Sequence, residues 1–132
     1  LVLAIAVALP VICAPARPPT AGRSVYKTYC AACHGADGRG NHRLADRLGA
    51  RPSDLTLLAR RNGGNFPKNQ VQRIIDGRQP VEGHGGSGMP IWGDAFRDAS
   101  DNDAAAPARE KIAAVVSYLE SIQARAEHDG NP

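Results

Sequence analysis

The apolar residues of this chain fall in short helical stripes separated by breaks rich in glycine and proline. Val25, Tyr26, Tyr29 and Cys30 stand at offsets 0, 1, 4 and 5, one face of a helix expected to start near Ala21 to Ser24. Gly35-Ala36-Asp37-Gly38-Arg39-Gly40 ends it, and a loop runs on to about Pro52. Ser53 or Asp54 then caps a short helix carrying Leu55, Leu57, Leu58 and Ala59, which Asn62-Gly63-Gly64 stops. Asn65-Phe66-Pro67 opens another, with Val71, Ile74 and Ile75 as its apolar face and Gly77 as its end. Residues 78–93, rich in glycine and holding Pro80 and Pro90, read as irregular, and the acidic segment Asp94 to Asp103 reads as an exposed connection. Pro107 opens the last helix, where Ile112, Val115, Val116, Leu119 and Ile122 fall at 0, 3, 4, 7 and 10. The pattern predicts an all-α fold of short helices and loops.

The two ends differ from this middle. Residues 1–12 are apolar without a charge, and Cys13-Ala14-Pro15-Ala16 follows with small residues where signal peptidase reads. The expected division is a secretory signal over 1–16, truncated at its start, a linker over 17–23, one domain over 24–126 and a flexible tail over 127–132. Export to a periplasm follows, and cleavage after Ala16 removes Cys13. The alternative is an uncleaved N-terminus kept as a membrane anchor, against which twelve apolar residues fall short of the about 20 needed to span a bilayer.

At 132 residues the chain is one small domain with little apolar surface of its own to bury. Two Phe, three Tyr and one Trp leave the core poor in the rings that usually fill it, so a flat apolar cofactor would supply what the side chains do not. The net charge of +3 has no stripe of basic and aromatic residues behind it, which argues against nucleic acid as a partner. That charge is uneven: residues 17–78 sum to +8 and residues 79–132 to −5.

The chemistry concentrates in Cys30-Ala31-Ala32-Cys33-His34, because C-x-x-C-H is the attachment signature of covalent haem. On one helical turn both thiols face the same side, ready to form thioethers with the two vinyl groups, and His34 is carried beneath the iron. A thioredoxin-type redox pair would need a βαβ pattern around the cysteines, and a zinc cage a second cysteine pair; neither is present. The sixth position falls to the thioether of Met89, the only methionine, set in Gly88-Met89-Pro90. His84 and His42 are the alternatives. Were no side chain bound there, the iron would be open to small ligands or peroxide, and the protein would be a ligand-activating haem enzyme; a haem subunit of a dehydrogenase or oxidase complex is a further alternative.

Cys-Ala-Ala-Cys-His-Gly and Met-Pro-Ile-Trp-Gly, with Gly22 and Tyr26 ahead of them, make the chain resemble a monohaem class I c-type cytochrome of the proteobacterial periplasmic type. The resemblance implies one covalent haem c, His34 and Met89 as axial ligands, and one-electron transfer to and from redox partner proteins such as a dehydrogenase, a reductase or a terminal oxidase, without catalysis by the chain itself. It also implies that Gly22 and Tyr26 cross an aliphatic and aromatic pair on the last helix, plausibly Val115 and Tyr118. The family's usual Gly-Pro, whose proline carbonyl receives the proximal histidine's hydrogen bond, is replaced here by His42-Arg43, leaving the Arg43 carbonyl to serve. The haem propionates need partners, for which Trp92, Arg78 and Arg51 are the candidates. Arg39, Arg43, Arg47 and Arg51, in the loop after the haem motif, are expected near the ring, where they would steer an acidic partner.

Overall fold

The computed structural model describes residues 19–41, 43, 51–79, 89–97 and 105–124. The expected signal over 1–16, the alternative ligands His42 and His84, Arg47 and the tail over 127–132 lie outside them. In chain order the described elements are α1 (Pro19–Tyr29), α2 (Ala31–His34), a 3₁₀ turn (Leu55–Leu57) running into α3 (Leu58–Arg61), α4 (Lys68–Asp76), α5 (Trp92–Ala95) and α6 (Ala106–Ser121). Among the described residues there is no strand, and the fold is all-α as expected.

The first helix begins at Pro19, inside the stretch read above as a linker. Proline fits the first helical turn, where its missing N–H is not needed, so Pro19 opens a helix instead of prolonging a spacer. The early start matters because it brings Gly22 into the crossing of α1 with α6. A Cβ on Gly22 would lie 2.7 Å from the carbonyl carbon of Ala114 and 2.9 Å from Cβ of Tyr118, so only glycine lets the two backbones approach this closely. One turn on, the rings of Tyr26 and Tyr118 meet with centroids 5.2 Å apart. The residues that meet Gly22 and Tyr26 on the last helix are therefore Ala114 and Tyr118, not the expected Val115 and Tyr118, while Val115, the next residue round, faces inward to the cleft described below. Tyr26 is wholly buried and its hydroxyl donates to the Gly35 carbonyl at 2.7 Å, tying α1 to the end of α2. Burial, with smaller contributions from Cys30, Tyr118 and Asp37, holds that phenol above its usual pKa, so it stays a donor at any physiological pH.

Gly22→Val is expected to lower stability by about 2–3 kcal/mol through overpacking, and Tyr26→Phe by about 1 kcal/mol through loss of one buried hydrogen bond. Guanidinium unfolding of the two variants measures both. Equal midpoints for Gly22→Val and wild type would mean that the crossing can open at no cost.

The inner face of α6 is the spine of the core: Ala108, Ile112, Val115, Val116 and Leu119 are all buried. Its C-terminal end is pinned to the turn before α3 by Gln123. The side-chain amide donates to the carbonyls of Leu55 at 2.8 Å and Leu119 at 2.7 Å, its oxygen accepts from Ala59 N–H at 2.8 Å, and Ala124 N–H reaches the Thr56 carbonyl at 2.8 Å. Asp54 supplies the predicted cap, accepting from the Thr56 N–H at 2.8 Å and its hydroxyl at 2.6 Å.

The sequence reading left residues 78–93 irregular and 94–103 exposed, and here the structure differs. Residues Trp92–Ala95 form a helical turn, and Phe96 is buried to 5 % exposure. Four residues apart, Trp92 and Phe96 stack with centroids 4.9 Å apart, and the edge of Tyr29 meets both, at 5.5 Å and 4.9 Å. This aromatic contact outweighs the surrounding glycines and acids and fixes the turn.

Candidate functional site

The Cys30 to His34 segment is a tight turn continuing α1: Cys30 N–H bonds the Tyr26 carbonyl at 2.8 Å and His34 N–H the Cys30 carbonyl at 2.9 Å. The carbonyls left over at its end are taken up by the loop that follows. Gly40 N–H reaches the His34 carbonyl at 2.8 Å, Asn41 N–H the Cys33 carbonyl at 2.9 Å, and the Asn41 side chain the Ala32 carbonyl at 3.0 Å. The loop after the motif thus holds the motif in shape.

His34 is buried, at 7 % exposure, and its Nδ1 faces the Ser53 carbonyl at 3.5 Å. Arg43, whose carbonyl is the expected acceptor, donates its own N–H to the Asn41 side chain at 3.2 Å. Ser53 is brought to the histidine because Leu55 N–H bonds the Gly38 carbonyl at 2.7 Å and closes the loop between them.

Beneath His34 opens a cleft lined by Tyr26, Cys30, Met89 and the aliphatic side chains of Leu55, Leu58, Val71, Ile74, Ile75, Val115 and Leu119, with His34 and Ser53 in the same wall. The enclosed cavity is about 150 Å³, and the cleft with the part open to solvent is about 710 Å³. The stripes predicted from spacing, 71, 74 and 75 on α4 and 115 and 119 on α6, thus converge on one apolar slot with a histidine and a methionine in its wall. Both motif cysteines are unpaired thiols, each half-buried. Burial, and then the neighbouring Cys33, pushes the Cys30 thiol up to about 11, so it is protonated at neutral pH.

The other candidates stand apart from this wall. Trp92 is in the aromatic cluster with Phe96 and Tyr29. Arg78 pairs through Nε with Asp76. Arg51 is exposed at the surface. Among the described residues no three His, Cys, Asp or Glu side chains gather into a site for a metal ion, which leaves the zinc alternative without a cage. No described helix is long and apolar enough to cross a membrane.

A haem fits the chemistry of what is present: an apolar slot with one thiol, one imidazole and one thioether in its wall, and a second thiol three residues along the chain from the first. The family model described as cytochrome c oxidase, cbb3-type, subunit III, matches residues 17–119. No curated protein and no solved structure matches the chain.

Proposed function

Because the chain belongs to the family of cytochrome c oxidase, cbb3-type, subunit III, whose c-type cytochrome domain carries covalently bound haem c and transfers electrons, we propose that it is a one-electron carrier with His34 and Met89 as the two axial ligands. The observation that carries the proposal is the presence of His34 and Met89 in the wall of one apolar cleft, with Cys30 beside them. The haem, when bound, supplies a one-electron iron couple. Cys30 and Cys33 would hold it by thioethers. His34, packed to 7 % exposure and facing the Ser53 carbonyl, is held in one ring orientation. Leu55, Leu58, Val71, Ile74, Ile75, Val115 and Leu119 exclude water from the slot. Arg51 and the indole N–H of Trp92 are proposed for the propionates, with Arg78 shared between them and Asp76.

The partners proposed are periplasmic or membrane-bound redox proteins, a dehydrogenase, a reductase or a terminal oxidase. The family is that of an oxidase subunit, which favours a terminal oxidase as the partner. Exposed Arg39, Arg43 and Arg51 follow the haem motif and would steer an acidic partner.

Stopped-flow mixing tests the carrier reading. With both axial positions filled by side chains, carbon monoxide should bind slowly, and the second-order rate of electron transfer should fall as salt rises, because steering is screened over roughly 8 Å at physiological ionic strength. Rapid carbon monoxide binding with salt-insensitive electron transfer would instead identify an open, ligand-activating haem protein.

A further inference from the structure

Met89 stands at the start of a segment that is fastened to the end of α4 at two points, and each point exists because glycine stands there. Gly77, the C-cap of α4 in the left-handed region at φ 84°, packs on Ile91: a Cβ there would fall 3.1 Å from Cβ of Ile91 and closer still to its Cγ2. Gly93 is buried against Asp76: a Cβ there would lie 2.6 Å from the Asp76 carbonyl oxygen and run into its carboxylate. The two contacts are reciprocal. Helix α4 gives Asp76 and Gly77, and the segment gives Ile91 and Gly93. Asp76 is itself fixed, mostly buried and paired with Arg78. On the far side the segment is closed by Trp92 stacked on Phe96.

We propose that Gly77 and Gly93 form a latch that positions Met89. They are positioning residues, since neither lines the cleft. The inference rests on the reading of Met89 as an axial ligand. Helix α4 also supplies Val71, Ile74 and Ile75 to the wall that Met89 shares. Clamping residues 91 and 93 to its last turn therefore sets the height of the sulfur relative to that wall. Pro90, with its fixed φ, transmits the position with little slack. A thioether on an unbranched, flexible side chain has no rigidity of its own, so its occupancy of the iron depends on how well its backbone is placed, and misplacement by about 1 Å is enough to lose a built site.

The test uses the haem-loaded protein with imidazole as a competing ligand. Apparent affinity for an added ligand scales with the fraction of molecules whose site is open. Gly93→Ala should push residue 93 off Asp76, weaken the sulfur-to-iron charge-transfer band and raise the apparent imidazole affinity about tenfold or more toward the Met89→Ala limit. Ile91→Ala removes the side chain that meets Gly77 without adding bulk, and should shift both readouts the same way by a smaller factor. It keeps the proposal testable if Gly93→Ala does not fold. A lower unfolding temperature in both variants with band and imidazole affinity unchanged would make these contacts structural only and overturn the latch. If Met89→Ala itself leaves band and affinity unchanged, the ligation reading fails, and the latch with it. If Met89→Ala abolishes the band while Ile91→Ala and Gly93→Ala do not alter it, the latch alone fails.

Discussion

Replacing both Cys30 and Cys33 by alanine is expected to release the haem to acid acetone and to leave a chain without fixed tertiary structure. The first half follows from the thiols: thioethers are the covalent part of the attachment, and axial bonds alone survive neither acid nor organic solvent. The second half follows from the cleft. Seven aliphatic side chains line about 710 Å³ of empty space, and full burial of one such side chain is worth about 1.5–3 kcal/mol. Losing even half of that at each position rivals the about 5–15 kcal/mol that holds a small domain together. The contacts away from the slot, Gly22 against Ala114, the Tyr29, Trp92 and Phe96 rings and the Gln123 bridge, are too little core for a domain of this size. Far-ultraviolet circular dichroism should keep part of its helical signal, near-ultraviolet signal should vanish, and the chain mass should equal the polypeptide alone. Single replacements should keep one thioether and an unextractable haem. A double variant that still carries covalent haem would remove the cysteines from the role assigned to them.

The walls of the slot were legible in the sequence because they obey a period. Val71, Ile74 and Ile75 on α4, and Val115 and Leu119 on α6, fall on the inner faces by arithmetic, and Gly77 and Pro107 mark ends that sterics dictate. The haem motif was legible because its chemistry fits within five consecutive residues. What escaped were contacts between residues that share no period. Asp76 meets Gly93 and Gly77 meets Ile91 only once the loop has returned. Gln123 looks like any polar residue at a helix end until its amide is seen to bridge Leu55, Ala59 and Leu119. The carbonyl facing His34 at 3.5 Å belongs to Ser53, and a main-chain acceptor leaves no mark in a sequence. Arg78 meets Asp76, two residues back, a pairing that the residue types alone do not single out. Trp92 was placed in an irregular segment because the local glycines were visible and its stacking on Phe96, across a stretch read as solvent-exposed, was not.

Met89→His is expected to lower the reduction potential on the order of a hundred millivolts or more, a fraction of the roughly 0.8 V that axial ligands command. A thioether is a soft, neutral donor and stabilises the reduced iron relative to the oxidised. Imidazole is the stronger donor to the oxidised iron, so the exchange favours loss of the electron and the potential must fall. The elements that carry the two proposed ligands are separate in the fold, His34 being held by the loop over residues 38–41 and Met89 standing ahead of α5, so a change at residue 89 should leave the surroundings of His34 as they are. About 59 mV corresponds to a tenfold change in the ratio of oxidised to reduced protein, so a shift of this size is read directly by spectroelectrochemical titration against a mediator. The charge-transfer band of the oxidised protein should vanish in the same variant, since it requires sulfur on the iron. A histidine variant with unchanged potential and an intact band would mean that another side chain holds the sixth position. A histidine variant that loses the band without a fall in potential would mean that the new imidazole, a rigid ring in place of a flexible thioether, does not arrive at the iron, and Met89→Ala with added imidazole should then produce the low potential that the tethered ring could not.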